Sequence, residues 1–163
     1  MKKRLLRIII LIVIILFLIV VIIERKFVQK TSDFMFYLEE KYYGNSVFNE
    51  INSYELNDLI NDKESFVIFI HQPFCSVSYE FNKLLTKFAE ENKVSFYKVN
   101  FDEIKKTIMY DNIKYYPSFA IYNNGKLIDF LKADSDNDLN RYKNSEDFKN
   151  WFNSYIKMKN ITK

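Results

Sequence analysis

The sequence predicts an α/β domain with a mixed sheet, carried behind an N-terminal transmembrane helix and a short spacer helix. Three observations lead there. Phe66-Val67-Ile68-Phe69-Ile70 is a continuous β-branched and aromatic run, the pattern of a strand buried on both faces. Amphipathic helical stretches alternate with strand candidates around it, which implies parallel strands joined by crossover helices. The Asn123-Asn124-Gly125 turn, flanked by two further strand candidates, adds an antiparallel hairpin.

The first 26 of the 163 residues differ sharply from the rest. Ile8 to Ile23 is unbroken apolar sequence, extended by Leu5 and Leu6 past Arg7, whose long side chain can snorkel to the headgroups. A buried core helix would show a polar face, and this run shows none. A cleaved leader wants small residues at the end of its apolar run, yet no Ala or Gly precedes Gly44. A lipoprotein leader would need a cysteine there, and the only cysteine is Cys75. An uncleaved signal anchor is therefore expected over residues 1–26, a spacer helix over 27–46 and the folded domain over 47–163. Lys2, Lys3, Arg4 and Arg7 precede the span, against Arg25 and Lys26 offset by Glu24 after it. That bias puts the N-terminus in the cytoplasm and the domain outside, where disulfides form and persist.

Apolar residues make up 48% of the chain and aromatics 18%, enough for a real core. The net charge of +3 belongs to the anchor: without the six basic groups and one acid of residues 1–26, 18 basic and 20 acidic groups remain. No concentrated Lys/Arg run follows residue 26, which argues against a nucleic-acid partner. One Cys and one His cannot supply a tetrahedral metal site, and no cofactor motif occurs.

Thr31 and Ser32 can cap a spacer helix bearing Phe34, Tyr37, Leu38 and Lys41, stopped at Tyr43-Gly44. A short strand within Val47 to Ile51 precedes a helix started by Ser53, with Leu56, Leu59 and Ile60 on one face. Beyond the Phe66–Ile70 strand and the loop His71-Gln72-Pro73-Phe74, a helix from Cys75 to Glu91 aligns Val77, Phe81, Leu84, Leu85 and Phe88. Val94 to Val99 reads as a strand, and Asp102-Glu103 opens a short helix with Ile104, Ile108 and Met109. Ser118 to Tyr122 and Leu127 to Leu131 flank the hairpin turn. Lys132 to Asn144 is polar throughout and reads as a loop insertion or a partner contact. Ser145 is expected to cap a last helix, with Phe148, Trp151, Phe152, Tyr155 and Ile156 on its apolar face. The carboxylates Asp102, Glu103, Asp134, Asp136 and Asp138 fit a helix start and a solvated loop better than an acid/base pair.

The chemistry centres on Cys75. A thiolate, not a thiol, attacks a disulfide, and unpaired N–H groups at a helix start favour the thiolate. The buried strand FVIFI, the Cys75 helix start, the KVNFDE strand end, the proline in YYPSF and the NNGK hairpin together resemble the thioredoxin family over about residues 47–157. The resemblance implies a three-layer sandwich, with Cys75 as nucleophile and Pro117 as a cis-proline beside the sulfur. It also implies a substrate surface of Phe74, Tyr116 and Pro117. A family member's second cysteine, three positions on, resolves the mixed disulfide. Here that position is Ser78, which can donate a hydrogen bond but cannot resolve.

Other departures are Phe69 where the family has a buried acid, Phe74 for its tryptophan and Val77 for its motif proline. A dithiol reductase is excluded. The remaining readings are single-thiol exchange with an exported protein or peptide, a non-catalytic fold that holds an extended peptide, and a homodimer disulfide-linked through Cys75. In outline the chain also resembles the thioredoxin-like accessory proteins of peptide and bacteriocin export in bacteria. His71, four positions before Cys75, reads first as a half-buried loop histidine and second as a group able to stabilise the thiolate.

Overall fold

Strands β1 (Phe48–Glu50), β2 (Phe66–His71), β3 (Phe96–Asn100), β4 (Ser118–Asn123) and β5 (Lys126–Lys132) form one sheet in the order β1-β3-β2-β4-β5. The structure, a computed structural model, describes residues 14–19, 35–114 and 116–159. β1, β3 and β2 are parallel, while β4 runs antiparallel to both β2 and β5. Helices α1 (Ser53–Asn61) and α2 (Ser76–Asn92) are the crossovers that parallel strands require. After β3 come a short helix α3 (Phe101–Ile104) and a 3₁₀ turn (Ile108–Asp111), and α4 (Asp136–Lys143) and α5 (Ser145–Asn153) follow the hairpin.

Side-chain alternation assigns the two faces of the sheet. Phe69 on β2 lies across from Lys98 on β3 and from Phe119 on β4, so all three share one face. Phe81 and Phe88 from α2 and Phe148 and Phe152 from α5 meet Phe96 and Phe119 there, with Phe81 edge-on to Phe69 at 5.5 Å. These rings are almost wholly buried, and each contributes about 1.5–3 kcal/mol by leaving water. On the opposite face Phe66 stacks on Tyr122 at 4.9 Å and Tyr42 packs edge-on to Tyr97. Tyr97 also shares a cleft with Leu59 of α1, which places that helix in the second outer layer.

The strands and main helices lie where the sequence predicts them, and α1 starts at Ser53 as expected, but the cap of the last helix is displaced by one residue. Asn52 caps α1: its side chain accepts the Tyr54 and Glu55 N–H groups while the Glu55 carboxylate accepts the Asn52 N–H at 2.9 Å. Asn144, not Ser145, caps α5, accepting from Glu146 and Asp147. In each case the true cap keeps an extended backbone one residue before the helix.

The spacer helix is corrected over the part described. Glu40–Tyr42 forms only a single 3₁₀ turn, and residues from Phe36 onward belong to the domain. Phe36 pairs with Ile156 through bonds from its N–H to the Tyr155 carbonyl and from the Lys157 N–H to its own carbonyl, at 2.9 and 2.8 Å. Farther along this strap, Glu39 donates to Ser65, Ser95 donates to Tyr42 and Gly44 donates to Lys93. Backbone partners in the domain replace the i→i−4 bonds a helix would have made, and burial of Leu38, Tyr42 and Tyr43 holds the strap down. Thr31 and Ser32 lie outside the described residues.

The polar stretch Lys132 to Asn144 is also corrected, since it contains α4. Asp136 and Asp138 occupy the first turn and Arg141 and Lys143 the last, which suits the helix dipole. Residues 14–19 are helical and belong to a separate unit, Met1–Met35. Among the described residues no helix is long and apolar enough to cross a membrane, and most of the expected anchor falls outside them.

Candidate active site

β2 ends at His71, and the chain turns through Gln72, Pro73 and Phe74 to enter α2, a helix of 17 residues whose N-cap is Cys75. The turn closes on two contacts. The Cys75 N–H donates to the Gln72 carbonyl at 3.4 Å, and the Gln72 N–H donates to the Ser78 hydroxyl at 3.1 Å. Phe74 takes up the left-handed backbone, φ 58°, that brings the chain round, a conformation costly for a bulky residue. Its ring is fully exposed to solvent beside the thiol.

Cys75 is half-buried and unpaired. Partial burial pushes its thiol pKa up. The polar groups of the first turn of α2, the Ser78 N–H and hydroxyl and the Val77 N–H, outweigh that effect and leave the thiol below its ordinary value. No acid sits in the first turn of α2 to oppose the positive end of the helix. Ser78 is itself buried, its oxygen held by Gln72. It therefore serves as a loop clasp, and its polar groups favour the thiolate.

The other expected site residues lie on the approach to β4. The Tyr116–Pro117 peptide bond is cis, the geometry the resemblance implies for Pro117. Ile70 and Ser118 are a cross-strand pair, so Pro117 sits one residue beyond that pair, level with the end of β2. Tyr116 lies against Phe101, with ring centroids 3.5 Å apart, and its hydroxyl donates to the Ile113 carbonyl at 3.1 Å. Burial, with Tyr110 nearby, pushes the Tyr116 phenol up to about 12, so it stays protonated.

A cavity of about 530 Å³ opens beside Cys75, lined by Phe69, His71, Phe74, Ser78, Tyr79 and Lys98 among others. Phe74 is among its lining residues, and Tyr116 and Pro117 are not. Phe69 forms an apolar floor where the family pattern has an acid. The nearest carboxylate in register comes instead from β1. Glu50 lies across from Lys98, which lies across from Phe69. Glu50 accepts from Lys98 Nζ at 3.0 Å and bonds His71 Nε2 at 2.8 Å. Partial burial raises the Glu50 carboxyl, but His71 and Lys98 outweigh it and hold it below its ordinary value.

Glu50 and Lys98 escaped the sequence reading because strand register alone brings them together. The KVNFDE match covers Lys98 without hinting at its partner. Among the described residues no group of three or more His, Cys, Asp or Glu side chains converges as metal ligands would.

Comparison with known proteins decides the family. The thioredoxin family model matches residues 47–145, more than half of the chain. The chain belongs to the thioredoxin family. A thioredoxin variant from Halobacterium salinarum superposes with a TM-score of 0.55 at 13% identity, covering 71% of this chain and 96% of its own. A thioredoxin from Plasmodium falciparum gives 0.50 at 20% identity, covering 67% and 99%. These likenesses show the shared fold. No protein of curated function matches the chain. This thioredoxin-fold protein thus keeps the helix-start cysteine and the cis-proline, while its motif reads Cys75-Ser76-Val77-Ser78.

Proposed function

We propose that this protein is a membrane-tethered, extracytosolic thioredoxin-fold protein that forms mixed disulfides with exported proteins or peptides through Cys75 alone. The observation that carries the reading is the thiol itself, half-exposed at a long helix's start and lowered by Val77 and Ser78. The chemistry stops at one thiol because a hydroxyl cannot displace sulfur from a disulfide. Release then falls to an external thiol or to the substrate's second cysteine. The apolar run Ile8 to Ile23 and its basic N-terminal flank support the tether and the outward orientation.

The fully exposed Phe74 ring favours a second reading, in which the same surface holds an extended peptide without exchange. One experiment separates the two. Cells are treated with a thiol-blocking reagent and lysed without reductant, and wild type is compared with Cys75→Ala. Reductant-sensitive adducts to other proteins, absent from the variant, are the expected result. An unmodified, slowly alkylated Cys75 would overturn exchange, and cellular function that survives Cys75→Ala would select the holding role. A reducible species of doubled mass would identify a homodimer.

A further inference from the structure

Building on the single-thiol reading, we infer that His71, held by Glu50, is the acid that protonates the thiolate leaving when Cys75 attacks a disulfide. The chain's only histidine and only cysteine line the same cavity. His71 Nε2 is fixed by Glu50 at 2.8 Å, and Glu50 is fixed in turn by Lys98 at 3.0 Å. A carboxylate that orients an imidazole lining the same cavity as a nucleophile is a combination general acid–base chemistry uses. Three neighbouring strands, β1, β3 and β2, supply the parts, so sheet register rather than a loop sets the geometry.

The groups that face His71 make it the proton carrier. Glu50 comes from β1 and Lys98 from β3, and Cys75 and Tyr79 come from α2 and its approach. Glu50 is held in its charged form, unable to donate. Imidazole is the side chain among them that most often carries protons in general acid–base catalysis. The Phe69 floor adds no competing group.

Cys75 Sγ, as thiolate, attacks one sulfur of a disulfide. The new Sγ–S bond forms as the old S–S bond breaks, and the electron pair departs on the second sulfur. That sulfur takes the proton on Nδ1 of the His71 imidazolium, the ring nitrogen that Glu50 does not hold, leaving a neutral thiol and a neutral imidazole, which water reprotonates. No external oxidant or reductant enters.

The need for an acid grows with the basicity of the leaving thiolate, and this makes the inference testable on the full chain in detergent. Single-turnover rates would be followed from pH 5 to 8 with hydroxyethyl disulfide, an aliphatic leaving group, and with dithiobis-nitrobenzoate, an aromatic one. Iodoacetamide alkylation, in which no thiolate leaves, is the control for fold and thiolate content. His71→Gln should slow the aliphatic disulfide about 10-fold, less than a full general-acid effect because thiolates leave readily, with the other two reagents within about 2-fold. Glu50→Gln, which leaves the imidazole in place, should lose part of the rate.

Equal losses with all three reagents would overturn the inference, as would an unaltered aliphatic rate in His71→Gln while wild type reacts. A wild-type protein that iodoacetamide modifies but neither disulfide touches would overturn the exchange reading itself, and this inference with it.

Discussion

The Tyr142 hydroxyl lies 2.8 Å from the carbonyl oxygen of Pro117 and 2.9 Å from that of Leu131, donating a proton shared between the two. It joins α4, the strand approach that carries the cis peptide, and the far end of β5. The ring is buried against Phe81 at 4.4 Å, and burial pushes the phenol far above its ordinary range, so the donor is always present. Tyr142→Phe keeps the packing and strips both carbonyls of their donor. It should destabilise the domain by about 2 kcal/mol, read as a lower urea midpoint at unchanged slope. An unmoved midpoint would mean that water replaces the hydroxyl.

Glu103 ties α3 to the start of α1. Its carboxylate accepts from Lys106 Nζ at 2.7 Å, from the Ser53 hydroxyl at 2.8 Å and from the Ser53 N–H at 3.1 Å. Lys106 and then Ser53 hold its pKa down to about 2, from an ordinary 4.5. A depressed carboxyl stabilises the fold above its unfolded pKa, and that contribution is lost as pH falls through the folded one. The difference in urea midpoint between wild type and Glu103→Gln should thus be full at pH 7 and close between pH 4.5 and about 2. A difference independent of pH would point to packing instead.

The strap from Phe36 to Gly44 should be required for folding. Leu38, Tyr42 and Tyr43 are buried, and removing them forfeits about 5 kcal/mol of apolar burial by area, a large part of a domain's usual stability. A fragment that begins at residue 35 should unfold cooperatively in urea. One that begins at residue 47, where the family match starts, should be unfolded or aggregate. Equal midpoints for the two would show the strap to be dispensable.

Ser78 should control the thiolate. Its hydroxyl helps lower the Cys75 thiol, so Ser78→Ala should move the pH midpoint of iodoacetamide alkylation upward. Ser78→Cys supplies the missing resolving group. That variant should lose two titratable thiols on mild oxidation and regain them with dithiothreitol, which the single cysteine of the wild type cannot do within one chain.

The sequence displays most of the sheet because its signals are local. FVIFI can only be a doubly buried strand, and Asn-Gly turns suit positive φ, seen here at Asn124 and Gly125. α4 was hidden because Leu139 and Tyr142 are nearly its only apolar residues, too few for a visible stripe, although its charges already followed the dipole. The strap deceived in the opposite way, since Tyr37, Leu38 and Lys41 have helical spacing. Backbone partners at Ser65, Ser95 and Tyr155 override that spacing. Cys75, Ser78 and Pro117 were legible through the family pattern. The Glu50–His71–Lys98 cluster was not, because 21 residues separate Glu50 from His71 and only strand order brings them together.

The strap crosses the sheet where β2 and β3 begin, at Ser65 and Ser95, whereas Cys75 follows the point where β2 ends. With about 3.3 Å per residue, the length of β2 separates the two by roughly 20 Å. Entry at Phe36 and exit past Ile156 are hydrogen-bonded neighbours. Both ends of the domain are therefore anchored at the pole remote from the sulfur. A fluorescent or affinity label at the C-terminal end can report on encounters without obstructing them.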